Sequence, residues 1–333
     1  MQSFKIILML TLLTFVFQAL ASSPISNLDV SSLKTNYIKN AIDRTGTPTK
    51  HKDYDKYQNQ KYNPFIDFCA WHGFLLPEIV KSYAAFTGPM IIAQEYSLFI
   101  SDALEKLTVI NANTNKKLNL KKAQTQSFSQ PGSLTQKYTI KQLSIALTLR
   151  FISNRTALIE TKITNLSNEE QALELLWQGE LLSQWDDKKS VNESLPSWHR
   201  EIKSNQNSVF YHFGETRSTW NILTSSSSTY QITRSIPSET TINQAALSYQ
   251  SASTIKVQAN STTTLYTTQS YFHDKVEAKK EQYTIESAIA KPKKYMQATK
   301  SRWHQYISKS INVASKNQQQ KLIATKAIET LIG

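Results

Sequence analysis

Cysteine and glycine are nearly missing from this sequence, and a long apolar run occurs only at its N-terminus. A single cysteine, Cys69, among 333 residues excludes an internal disulfide, so stability must come from a buried core rather than from covalent staples. It also removes cysteine-based zinc sites, and the six histidines, at 51, 72, 199, 212, 273 and 304, show no ligand spacing. No metal is expected. Seven glycines supply no phosphate-cradling loop, no dinucleotide fingerprint and no nucleophile elbow, and no His-Glu-x-x-His helix is present. No cofactor is therefore expected. Beyond the N-terminus no stretch approaches the roughly 20 apolar residues that a membrane helix needs.

What is present begins with an address. Lys5, an apolar run over residues 6–17 and the small-residue pattern Ala19-Leu20-Ala21 form a secretory signal over residues 1–21, cut after Ala21. The expected location is periplasmic or secreted, with no lipid tether, because no cysteine stands at the new N-terminus, and no membrane contact after cleavage. Serine-rich residues 22–36 read as a flexible arm. The net charge is +13, and between residues 274 and 333 twelve basic side chains face five acids. A solvated helical face explains this better than a nucleic-acid surface, since no nucleic-acid motif accompanies it.

Residues 37–273 carry the signals of a β-sandwich. Leu143-Ser144-Ile145-Ala146-Leu147-Thr148-Leu149 alternates apolar and polar residues, and Ala157-Leu158-Ile159-Glu160-Thr161-Lys162-Ile163 nearly does. Short runs rich in β-branched and aromatic residues follow at 173–177, 209–213, 219–223, 230–232, 254–257 and 263–268, and many short strands argue for a sandwich. The period then changes. Residues 276–289 and 295–311 repeat apolar side chains at helical spacing, as in Met296, Trp303 and Ile307, with Pro292 between the two segments. This predicts a helical linker over residues 274–320, broken at the proline. A third helix begins at about residue 321, with Ile323, Ala327 and Leu331 one above another, an apolar stripe with little chain to cover it.

Two clusters could carry chemistry. Residues 62–77 combine aromatic faces with Asp67, Trp71 and His72 in a span punctuated by proline and glycine. Aromatic rings suit the C–H face of a sugar while carboxylate and imidazole supply directional hydrogen bonds, although a buried aromatic strand has the same composition. The second cluster is Trp177-Gln178-Gly179-Glu180. Glu180 reads as a sugar or interdomain ligand rather than a catalyst, because glycoside hydrolysis ordinarily takes two carboxyls and no partner is identifiable.

Longer matches to a known family run through the chain: Asn40-Ala41-Ile42-Asp43-Arg44-Thr45-Gly46, the 62–77 block with Ala70-Trp71-His72-Gly73 at its centre, Thr148-Leu149-Arg150-Phe151, Glu160-Thr161-Lys162-Ile163-Thr164, residues 177–182, Thr263-Thr264-Leu265-Tyr266-Thr267-Thr268 and Lys326-Ala327-Ile328-Glu329-Thr330-Leu331. The sequence resembles the N-terminal part of glycoside hydrolase family 63. That resemblance implies a mainly β chain, an N-terminal super-β-sandwich followed by a helical linker and truncated before an (α/α)₆ barrel, residues 321–333 being the start of the barrel's first helix. It implies an inverting exo-α-glucosidase acting on α-linked glucosyl oligosaccharides, whose acid and base lie in the barrel, so no catalytic residue is assigned here. Cys69 stands where the resemblance leads one to expect a glycine.

Three readings of function stand at this point. The chain is the non-catalytic portion of an exported glucosidase, inactive alone; or a free carbohydrate-binding module using Asp67, Trp71, His72 or Glu180; or half of a split enzyme completed by a separately encoded barrel. An oligosaccharide is the expected ligand in each.

Overall fold

A computed structural model of the chain describes residues 38–48, 62–93, 96–182, 199–214, 227–314 and 317–332. The expected signal and arm, and the strand expected at 219–223, lie outside these residues.

Within them the chain is mainly β, arranged in three sheets. The smallest holds, in spatial order, β1 (Thr45–Gly46), β2 (His72–Pro77), β3 (Thr87–Ala93) and β4 (Tyr96–Phe99). An eight-stranded sheet runs β12 (Arg200–Ser204), β13 (Ser208–Phe213), β14 (Thr229–Arg234), β17 (Thr262–Phe272), β10 (Thr156–Asn165), β9 (Leu143–Phe151), β8 (Ser133–Ile140) and β7 (Gln124–Gln130). A five-stranded sheet runs β15 (Glu239–Asn243), β16 (Ser248–Val257), β11 (Gln171–Glu180), β5 (Lys106–Asn111) and β6 (Lys116–Lys117). The pairs within the two larger sheets are antiparallel.

The alternation read from the sequence is what makes this a sandwich. Leu143, Ile145, Leu147, Leu149 and Phe151 of β9 share one buried cluster with Ala157, Ile159 and Ile163 of β10. Leu173, Leu175 and Trp177 of β11, Leu107 and Val109 of β5, and Phe74 and Leu76 of β2 belong to the same cluster, so all three sheets feed one core. One charged group crosses it. Arg234, at the end of β14, makes a bidentate pair with Glu105, just before β5, at 2.8 Å and 2.7 Å. Tyr249 of β16 joins them, accepting from Arg234 at 3.1 Å and sharing its hydroxyl hydrogen between the Leu104 carbonyl and Glu105. Burial pulls the guanidinium down, but Glu105 and Tyr249 outweigh it and hold Arg234 above the usual arginine value, so Arg234 stays charged between the sheets.

Three helices follow the last strand: α1 (Lys275–Ala290), α2 (Pro292–Ala314) and α3 (Gln318–Ile332). Asp274 caps α1, its carboxylate accepting from the Glu277 N–H at 2.8 Å, while Glu277 reaches back to the His273 N–H at 2.8 Å. Pro292 opens α2 at the position where a missing N–H costs nothing. The helix α1 lies against β17, β10 and β14, and α2 reaches β9. Trp303 and Ile307 of α2 and Ile328 of α3 form a second small core. The third helix thus buries Thr325, Ile328 and Glu329, while Ile323 and Leu331 of the expected stripe stay 61% and 85% exposed. No described helix is long and apolar enough to cross a membrane.

Candidate functional site

The 62–77 block is built around a tight turn. Phe68 and Cys69 adopt φ of 58° and 54°, and the Ala70 N–H closes the turn on the Asp67 carbonyl at 3.1 Å. Two consecutive positive φ values belong to a type I′ turn, which favours glycine and asparagine. Asp67 sets it by accepting from the Phe68 N–H through Oδ1 at 2.8 Å. Its Oδ2 reaches much further, accepting from Trp303 Nε1 at 2.7 Å and from Arg302 of α2. The Arg302 guanidinium also lies over the Phe68 ring, 3.6 Å from its centre, an attraction that offsets the cost of placing a bulky residue at positive φ.

Trp303 needs one further concession. The β7–β8 hairpin turns on Pro131-Gly132, with Gly132 at φ 75°, and a Cβ on Gly132 would fall 2.0 Å from the Trp303 ring. Only glycine admits the indole there. Asp67 is fully buried, with both oxygens engaged.

Trp71 continues the same seam, and His72 follows it in the chain. The half-buried Trp71 ring meets His273 edge-on at 4.5 Å and has the Arg155 guanidinium at 5.8 Å. Arg155 in turn pairs with Glu277 of α1, tying this end of the seam to the first helix. His72 is fully buried among Phe74, Phe151 and Tyr230, at ring separations of 5.5, 5.1 and 5.9 Å. Neither of its nitrogens makes a hydrogen bond of normal geometry. Burial pushes its pKa down to about 3, the Gln269 backbone offsetting this only in part and Arg155 adding to it. His72 is therefore a neutral packing group at physiological pH. Asp67 and Trp71 thus lie in a seam joining sandwich to helices, while the adjacent His72 packs inside the sandwich.

Glu180 stands elsewhere, exposed at the end of β11 and lining a hollow of about 420 Å³ together with Asp102, Lys81, Lys106, Gln178 and Tyr249. Asp102 accepts from Ser82 Oγ at 3.0 Å. Nothing in the sequence pairs Asp102 with Glu180, because 78 positions separate them and only the sheet brings them to one cleft. The cleft is polar and open, with two lysines among the carboxylates. It lacks the apolar enclosure that keeps a carboxyl protonated for acid catalysis.

A second unforeseen pair is Arg44 and Glu329. Arg44 donates to the Pro64 carbonyl at 2.7 Å, and Glu329 of α3 lies close enough to feel its charge. Glu329 is 5% exposed and its Oε2 has no hydrogen-bond partner among the described residues. Burial raises its pKa to about 7 despite Arg44.

The chain is similar to known proteins in sequence and in fold. The sequence model described as Glucosidase YgjK, N-terminal, matches residues 43–304, which takes in the turn, the three sheets, all of α1 and the first half of α2. Among solved structures, a putative kojibiose phosphorylase from human microbiome aligns over 88% of this chain at 9% identity and a TM-score of 0.41. This chain spans 38% of that protein's length. A putative aldose 1-epimerase from Escherichia coli K12 aligns over 57% of this chain and 93% of its own, at 8% identity and a TM-score of 0.34. A heparan sulfate lyase from Pedobacter heparinus aligns over 50% of this chain and 24% of its own, at 12% identity and a TM-score of 0.28.

Proposed function

This chain belongs to the family of the glucosidase YgjK N-terminal domain, and on that premise we propose that it is the sandwich-and-linker module of an exported, inverting exo-α-glucosidase of glycoside hydrolase family 63. Its role is to carry and orient an (α/α)₆ barrel, on the same chain or a separate one, in which the acid and base reside. By itself it releases no sugar. The observation that supports this most is the family match, which runs unbroken from the sandwich into α2. The seam gives that continuity a physical basis. Asp67, Trp71, Gly132 and Glu277 fasten α1 and α2 to the sandwich, so whatever follows α2 is held in a defined direction. On α3, the exposed Ile323 and Leu331 offer apolar area for the barrel to cover.

The test is to purify the chain and a family 63 barrel separately and assay α-glucoside hydrolysis. Activity is expected from the mixture and not from this chain, with the two comigrating on a sizing column. Hydrolysis by this chain alone would overturn the proposal.

The second reading, a free carbohydrate-binding module, draws support from the Glu180 cleft rather than from the 62–77 block. Trp71→Ala is accordingly expected to lower the melting temperature and leave oligosaccharide affinity untouched.

A further inference from the structure

The outward face of the five-stranded sheet carries two polar rows set by strand register. Lys106 of β5, Gln178 of β11, Gln250 of β16 and Thr241 of β15 stand opposite one another in sequence across four strands. Two residues along, Glu180, Ser248 and Asn243 form the second row. Period-2 geometry puts both rows on one face, and they floor the hollow of about 420 Å³. Gln178 Nε2 donates to Gln250 Oε1 at 3.1 Å, which orients the amides side by side.

Lys106 and Gln178 also line a second hollow of about 300 Å³, where Lys117, Lys121 and the half-buried Tyr83 stand. Because Lys106 and Gln178 line both, the hollows adjoin in one groove, polar at the first end and at the second lined by Leu118, Leu120 and the edge of the core at Leu107 and Val109 beside the lysines. Its two ends differ in charge. Asp102 and Glu180 lie at the first beside Lys81 and Lys106, whereas among the described residues no acidic side chain lines the second. Burial holds Lys106 below the usual lysine value, and Lys81 and Lys117 lower it further, Asp102 working the other way. At the cationic end Lys106 and Lys117 repel one another, and Asp102, at the other end, offsets this only in part.

We propose that this groove binds an anionic oligosaccharide, neutral hydroxyls lying on the amide row of Gln178 and Gln250 and an acidic substituent, carboxylate or sulfate, lying among Lys106, Lys117 and Lys121. Amides and hydroxyls in register suit the alternating donors and acceptors of a sugar chain. A nucleic acid fits less well, because base stacking takes exposed aromatic faces, and the aromatic rings in the groove, Tyr83 and Tyr249, are half-buried and buried. The assignment is independent of the glucosidase reading, since it is measured as binding and not as turnover.

The experiment is calorimetric titration of the full chain at low salt with tetragalacturonate, a heparin tetrasaccharide, maltotetraose and a single-stranded oligonucleotide. One or both acidic sugars are expected to bind at least about tenfold more tightly than maltotetraose, and the arm that wins identifies carboxylate or sulfate. Raising the salt should weaken that binding. The double variant Lys106→Gln with Lys117→Gln should lose about tenfold in affinity with an unchanged melting temperature, and Gln178→Ala should weaken the sugar arm while leaving the salt dependence intact. Equal affinity for maltotetraose, equal affinity for the oligonucleotide, an unaffected double variant, or no binding by any acidic sugar would each overturn the assignment.

Discussion

Cys69 shows how a single side chain can oppose its own backbone. Its φ of 54° costs an L-residue about 1–2 kcal/mol, against about 0.5–1 kcal/mol of extra chain entropy lost by glycine. Cys69→Gly is therefore expected to stabilise the protein by about 0.5–1 kcal/mol, and Cys69→Val to destabilise it, both read from urea unfolding. The opposite order would mean that the turn differs from the one described. Gly132 is the reverse case. A methyl group there meets the Trp303 ring at 2.0 Å, so Gly132→Ala should cost about 2 kcal/mol or more and expose the indole, seen as a red shift and loss of tryptophan fluorescence. Glycine at 132 and its absence at 69 were both visible in the sequence. Their consequences were not, because the turn holding Cys69 is tied to α2 through Asp67, 236 positions from Trp303, and Gly132 meets the same ring.

Among the elements, strands with a regular apolar alternation were legible, whereas β5 and β8, which also bury one face, and the polar edge strand β7 were not. The strands β9 and β10 alternate because each puts one face into the core, and the two helices around Pro292 announce themselves by period and break. Edge strand β7 (Gln124–Gln130) is exposed over its first four residues, so no apolar alternation marks it. The third helix was legible as a helix, while its buried face was not. It turns Thr325, Ile328 and Glu329 inward, against the more apolar stripe, because Trp303 and Ile307 of α2 receive Ile328.

That choice of face has a pH consequence. With Glu329 at about 7 in the folded chain and 4.5 when free, the folded state holds the proton that the unfolded state has released. Stability contributed by α3 is therefore full below about pH 4.5 and falls as pH rises toward 7, at up to about 1.4 kcal/mol per unit. Glu329→Gln should remove this slope and protect the α3 amides from hydrogen exchange at pH 8. Unchanged exchange would show that Glu329 does not govern docking.

For the whole molecule, two buried groups set the response to acid and to mutation. His72, at about 3 when folded and 6.5 when free, stays neutral while the unfolded chain takes up a proton. Its contribution is present above pH 6.5 and is lost as pH falls toward 3. Below about pH 4.5 this limb should dominate, and His72→Phe should flatten it whatever its effect on absolute stability. The Arg234–Glu105 clamp links the two large sheets, so Arg234→Met alone, leaving Glu105 buried without its cation, should cost about 3–5 kcal/mol. Adding Glu105→Leu should restore most of that loss. If the double variant were as unstable as the single one, the charge would not be the cause.

Of the residues that looked most like a sugar site, Asp67 and Trp71 tie the sandwich to the helices and His72 packs inside the sandwich, and the polar groove lies where register, invisible in one sequence, lines up four strands. The measurement that bears most directly on the account is glucose released from an α-glucoside by the purified chain alone. No release above the enzyme-free blank is expected. Release that disappears in Glu180→Gln or Asp102→Asn would contradict the account and place hydrolysis in the cleft of the five-stranded sheet.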